Sequence, residues 1–89
     1  MLRQAFVLIN SEPGAEREAL AALEAIPEVR EALMVYGVYD IIARVEAETF
    51  EEVKHAISYK IRCIDEVRST LTLICIETLG ARVRAEERR

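Results

Sequence analysis

A chain of 89 residues sustains one hydrophobic core and not two, and 52% hydrophobic residues beside 31% charged ones mark it as ordered, not disordered. A net charge of −4 repels the phosphate backbone that an autonomous nucleic-acid binder must neutralise. The longest apolar run, residues 5–9, falls far short of the roughly 20 that span a bilayer, and residues 1–10 lack the layout of a signal peptide, so a cytoplasmic location with no membrane contact is expected.

Residues 4–10 form a short run rich in β-formers that ends in the breakers Asn10, Ser11, Pro13 and Gly14, which predicts a strand. Across residues 15–26 the apolar positions Ala19, Leu20, Leu23 and Ile26 recur at steps of three and four, predicting an amphipathic helix stopped by Pro27. Residues 29–36 and 39–45 read as two strands joined in a hairpin around Gly37. Thr49 and Glu52 fit a capping box, and Phe50, Val53, Ile57 and Ile61 continue a helical stripe to about Arg62. Residues 67–76 alternate again, with Leu71, Leu73 and Cys75 on one face and Thr70, Thr72, Ile74 and Ile76 on the other.

The order is βαββαβ, and an internal echo supports it: residues 26–33 and 64–71 share the pattern I-x-E-V-R-x-x-L after each helix. Two βαβ halves related by a pseudo-twofold axis predict an α+β, ferredoxin-like plait, a four-stranded antiparallel sheet with both helices on one face. The strands at residues 6–9 and 41–45 carry apolar side chains on both faces, more than two helices can cover. A second copy is the economical cover, so dimerisation through the sheets is expected.

Catalysis finds little material. His55 is the lone histidine, on the polar side of the second helix, and no nucleophile or carboxylate pair neighbours it by motif. Cys63 and Cys75 sit in apolar patterns without metal-ligand spacing and are expected as buried thiols. No metal and no cofactor is indicated. Arginine-rich, glutamate-rich composition with one Asn and one Gln suggests a heat-adapted source. The segment Tyr36-Gly37-Val38-Tyr39-Asp40 admits two readings. It is a plain hairpin turn, or it is a ligand site in which Asp40 accepts an ammonium while loop amides and hydroxyls hold a carboxylate, the charge complement of an amino acid.

Gly37-x-Tyr39-Asp40-Ile41-Ile42-Ala43-Arg44-Val45 resembles the G-x-[YF]-D-hydrophobic strand of effector domains in the leucine-responsive/AsnC family of transcription regulators, the domain known as RAM. The opening residues 5–9, the Pro13-Gly14 helix start and the Thr70-x-Thr72 element of the last strand agree with that family, so the resemblance covers roughly residues 2–77. It implies dimers paired through their sheets, assembled further into an octameric or similar ring, with amino-acid effectors held between dimers. Carried onto this chain, the effector cleft would be lined by Tyr36, Gly37, Val38, Tyr39 and Asp40, with hydroxyls from Ser69, Thr70 and Thr72 and with Met34 sensing the effector's side chain.

Regulators of this family carry an N-terminal helix-turn-helix, whereas this sequence starts at the effector domain's first strand. A stand-alone module of residues 1–79 with a charged tail at 80–89 is therefore expected, without direct DNA contact and with a full-length family regulator as a candidate partner. The tail carries +2, leaving −6 for residues 1–79. Two other readings share the same fold: a dimeric α+β barrel enzyme, against which stands the want of His, Trp or Asn inside the strands, and a purely structural ring-forming module.

Overall fold

The computed structural model describes residues 2–76. Six elements follow one another: β1 (Arg3–Ser11), α1 (Glu16–Glu24), β2 (Val29–Met34), β3 (Ile41–Ala47), α2 (Phe50–Ala56) and β4 (Val67–Ile74). The strands form one antiparallel sheet in the order β2-β3-β1-β4. That is the ferredoxin-like plait expected from βαββαβ, with each crossover spanning one intervening strand.

Strand alternation divides the sheet cleanly. On the covered face the register sets Met34, Ile41, Ile9 and Thr70 in one row, Ala32, Ala43, Val7 and Thr72 in the next, and Val29, Val45, Ala5 and Ile74 in the third. All six central-strand members of these rows are aliphatic and fully buried beneath Leu23, Val53, Ala56, Ile57 and Ile61. α1 lies over β2 and β3, and α2 over β1 and β3. The small side chains Ala5, Ala32 and Ala43 leave room for the larger helix residues above them.

The helices differ from expectation at their ends. α1 closes at Glu24 with Ala25 as its cap, and Ile26 already belongs to the turn, its N–H donating to the Leu23 carbonyl at 3.0 Å. Pro27 disfavours helical backbone at the residue before it, which accounts for the earlier end. The second helix begins with the capping box, Thr49 Oγ1 accepting from the Glu52 amide at 3.1 Å and Glu52 reaching back to the Thr49 amide at 3.2 Å. It then widens into a π turn over Ile57–Ile61, closed by the Arg62 amide on the Ile57 carbonyl at 2.9 Å. A four-residue step in an α-helix advances the face by about 40°; the wider turn takes some of that back, and Ile57 and Ile61 both stay buried. β4 ends at Ile74, two residues before its predicted limit, although the Cys75 amide still donates to the Gln4 carbonyl at 2.9 Å. Of the two thiols expected to be buried, Cys63 is exposed and Cys75 half-buried. Cys63 falls in the turn beyond the π segment, outside the helical stripe.

The repeated I-x-E-V-R pattern proves to be one structural device used twice. Val29 and Val67 donate to Ile26 and Ile64 carbonyls, both at 3.0 Å. The Glu28 and Glu66 carbonyls accept from Glu46 and Glu12 amides, both at 2.8 Å. Register then slips across Arg30 and across Arg68, so that each arginine is a bulge residue. The side chains repeat the pattern, Arg30 lying 3.5 Å from Glu46 and Arg68 3.8 Å from Glu12. The pseudo-twofold axis therefore holds down to individual bonds.

Lys60, on the π turn, donates to both Glu28 carboxylate oxygens at 3.0 and 3.1 Å, tying the second helical segment to the start of β2. That hydrogen bond holds the Glu28 carboxyl below its ordinary value of 4.5. A depressed carboxylate contributes stability that is complete above the unfolded value and is lost as pH falls through the folded one. Urea titrations should show Lys60→Met losing less stability than the parent chain as pH drops below 4.5. Leu23→Ala, which empties a fully buried site, should cost about 2–5 kcal/mol in the same measurement.

Candidate functional site

The far ends of β1 and α1's first turn, the β2–β3 hairpin and the start of β4 meet at one end of the sheet. Glu12 and Ala15 close a turn there by an amide-to-carbonyl bond of 2.9 Å, with Pro13 and Gly14 between them and Gly14 at φ 84. Pro in the first central position and a left-handed Gly in the second suit a type II turn. This turn sets Glu16 beside the end of β1.

Asp40 anchors the same end. Its amide donates to the Ile9 carbonyl at 2.9 Å, and its own carbonyl accepts from Val35 at 2.8 Å, closing the hairpin. Its carboxylate Oδ2 accepts from the Ser11 amide at 2.8 Å and from Ser11 Oγ at 3.3 Å. Ser11 is buried, and its amide faces the β3 side of β1 just past the last β1–β3 pair, Ile9 with Ile41. Asp40 is thus first a strand cap, satisfying a backbone donor left over where the β3 ladder stops. Its second oxygen remains for other partners.

Asp40, Glu16 and Arg68 line a cleft of about 460 Å³ together with Asn10, Ser11 and Ser69, a volume within the range that small ligands occupy. Two carboxylates and one guanidinium share a wall of hydroxyl and amide groups. Among the described residues Arg68 pairs with Glu12 alone, at 3.8 Å, with both side chains more than half exposed, and such a surface pair contributes at most about 1 kcal/mol. Arg68 is therefore free to exchange that partner for a ligand's carboxylate.

The predicted site residues separate into three places. Asp40 and Ser69 meet in this cleft. Thr70 and Thr72 point to the covered side of β4 and line a second groove, beside α2, which also reaches Ser69. Met34 ends β2 on the sheet's other edge, 43% exposed. Tyr36 and Val38 project from the hairpin tip at 105% and 84% exposure, Tyr39 is half-buried, and Gly37 has a nearly extended φ of 157. Glu16, Arg68, Asn10 and Ser11 entered no prediction, although the repeated E-V-R already singled out Arg68 and the breaker cluster contained Ser11. His55 is exposed and stacks on Tyr59 with ring centroids 4.8 Å apart. Among the described residues no cluster of His, Cys, Asp or Glu has the geometry to hold a metal ion.

The model of the Lrp/AsnC ligand binding domain matches residues 4–84. The chain belongs to that family. The regulatory protein AsnC of Escherichia coli K12 is 41% identical over 59 residues, covering 66% of this chain and 39% of AsnC. The crystal structure of E. coli AsnC superposes with a TM-score of 0.80 at 34% identity, over 85% of this chain and 52% of AsnC. FFRP-DM1 superposes at 0.80 with 43% identity, over 83% of this chain and 99% of that one. A Neisseria meningitidis transcriptional regulator, crystallised as an L-Met complex, shares the fold at a TM-score of 0.77 and 16% identity, over 88% of this chain and 52% of that one. The chain spans about half the length of AsnC or less, and its relatives are transcription regulators, which points to a regulatory ligand-binding role rather than a catalytic one. No helix among the described residues is long and apolar enough to cross a membrane.

Asp40→Ala strands the buried Ser11 amide and should cost about 1–3 kcal/mol in urea unfolding. Asp40→Asn, whose amide oxygen still accepts, should recover most of the loss.

Proposed function

We propose that this domain senses a free amino acid and, through oligomerisation, passes that signal to transcription. The observation that carries the reading is the cleft that joins Asp40 and Glu16 with Arg68. A zwitterion needs an anion for its ammonium and a cation for its carboxylate a few ångströms apart. Asp40 Oδ1 and Glu16 take the ammonium, Arg68 the carboxylate, and Ser69 and Asn10 complete the hydrogen bonding. The Neisseria regulator's L-Met complex supports this ligand class. The exposed hairpin tip, Tyr36, Val38 and the neighbouring Met34, then forms the apolar wall that meets the effector's side chain when a second dimer closes over the cleft.

The sheet's open face supports the assembly. Its register aligns Leu33, Ile42, Leu8 and Leu71 in one row across all four strands, with Phe6 and Leu73 adjoining in the next. Leu33, Leu71 and Leu73 are each about half exposed, at 50%, 45% and 51%. An apolar band of that extent on a single protomer marks an interface, and a second copy, stacked face to face, buries it. Such dimers arrange further into rings. Both helices described are committed to the covered face, so this unit's part in regulation is effector binding and assembly, and operator contact falls to a DNA-reading element outside residues 2–76, for which a full-length regulator of the same family is a candidate.

Calorimetry across the twenty amino acids tests the sensor. At 100 times its dissociation constant the effector should add about 2.7 kcal/mol to stability, and Arg68→Gln should abolish the gain. An unchanged melting temperature with every amino acid at millimolar concentration refutes it. For the assembly, sedimentation should show Leu73→Asp shifting the protein toward monomer, weakening association by about 2 kcal/mol or more, while the protomer's helicity is kept. A dimer of unaltered strength would overturn the sheet-face arrangement.

A further inference from the structure

The groove beside α2 carries chemistry of a different kind from the Asp40 cleft. α2 rests on β1 and β3, so the covered side of β4 stands next to the helix and not beneath it. Thr70, Thr72 and Ile74 form one wall of the resulting groove, Ile57 and Ser58 the other, with a volume of about 710 Å³. Three cations edge it, Lys54, Arg62 and Arg68, and no carboxylate does.

That composition runs against the rest of the domain. Residues 2–76 carry eight Lys and Arg against thirteen Asp and Glu, a net of −5, so a groove with three of those eight cations and no acid is not a sample of the average surface. Among the described residues no carboxylate lies within ion-pair distance of Lys54 or Arg62, while Lys60, Arg30 and Arg68 each have one and Arg44 has two. A cation in the last turn offsets a helix dipole without needing a ligand, which accounts for Arg62 alone. Lys54 lies two turns earlier, and Arg68 comes from a different element.

Placement narrows the ligand. Lys54 and Arg62 sit eight residues apart on one helical segment, about 12 Å along its axis. Arg62 and Arg68 lie at the same end of the groove, where α2's segment finishes and β4 begins, and Ser58, Ser69 and Thr70 add hydroxyls. Paired guanidinium groups with hydroxyl donors suit a phosphate or a carboxylate. The lone ammonium of Lys54 suits a second anionic group at the other end, and Ile57 and Ile74 suit a short carbon body between them.

We propose that this groove is a second ligand site, separate from the zwitterion cleft, that takes a small organic dianion with an oxyanion at each end. It shares Arg68 and Ser69 with the Asp40 cleft but stands on Lys54 and Arg62, which that cleft lacks, so failure of the amino-acid reading leaves it testable.

The test is isothermal titration of the whole chain at about 10 mM ionic strength, where exposed charges act over about 30 Å. The probes are 3-phosphoglycerate, adipate and, as a neutral control, glycerol. Saturable binding of one or both dianions with a dissociation constant of about 1 mM or tighter, and none of glycerol, is expected. Preference for 3-phosphoglycerate assigns the Arg62 end to phosphate, and equal binding of adipate assigns it to oxyanions in general. Arg62→Gln and Lys54→Gln should each weaken binding by about tenfold. Arg17→Gln, a cation on α1, and Asp40→Asn should change it less than about twofold. Absence of saturable heat with either dianion, or equal weakening by Arg17→Gln and Arg62→Gln, overturns the proposal, the latter by showing attraction to overall charge. Circular dichroism of each variant separates lost binding from lost fold.

Discussion

Everything in this domain hangs on the pairing of β1 with both β3 and β4. β1 is the only strand that touches both halves of the second βαβ unit, and its alternation serves two masters: Ala5, Val7 and Ile9 fill the core while Phe6 and Leu8 furnish the open face. Because the side-chain period is two, a slip of one residue would exchange those sets, exposing the core aliphatics and driving Phe6 into the helices. The bulge at Arg68 takes β4 out of step at Ser11, and on the opposite edge of β1, past the last β3 pair at Ile9 and Ile41, the Asp40 carboxylate accepts from the Ser11 amide. Core, open face and cleft thus share one register.

The pseudo-twofold symmetry explains how so short a chain builds two kinds of end. Arg30 and Arg68 occupy equivalent bulges, and each leans on a glutamate at the end of the neighbouring strand, Glu46 near the close of β3 and Glu12 just past β1. Their surroundings diverge. Arg30 shares a pocket with Glu28, Glu46, Glu48 and Glu52 and pairs with Glu46, so it meets a predominantly acidic wall. Arg68 faces hydroxyls, an amide and two carboxylates at one side and hydroxyls, aliphatics and the cations Lys54 and Arg62 at the other. The same backbone device has become a structural tie in one copy and a cleft-lining group in the next.

How much of this was legible in the sequence follows from which signals are local. The plait, its strand alternation, the capping box at Thr49 and the repeat after each helix are all written in neighbouring residues, and they emerged nearly intact. Helix ends were blurred because the π turn at Ile57–Ile61 depends on where the core lies, not on propensity. Asp40 was visible through its hairpin and family resemblance, yet its bond to Ser11 spans 29 positions and could not be. Thr70 and Thr72 share a strand with Ser69 but fall to a different groove, since α2's seat over β1 and β3 decides what stands open beside β4. Lys54 and Arg62 looked like ordinary members of a solvated helix face until that seat was known.

The strand order has one further consequence, for how the chain acquires its structure at all. β1 and β2 are not neighbours, and neither are β3 and β4, so neither repeat contains a single sheet ladder of its own. The first half, however long it waits, can form a helix but no strand pair, and no rung is laid until residues 41–47 arrive to meet β1. Every ladder but the β2–β3 hairpin closes a loop of more than thirty residues, the entropic cost of which is met before the contacts repay it. Folding is therefore a joint event of the two halves, and a truncated or interrupted copy carries bare, pairing-competent strands with apolar faces, the state most prone to capture by another chain.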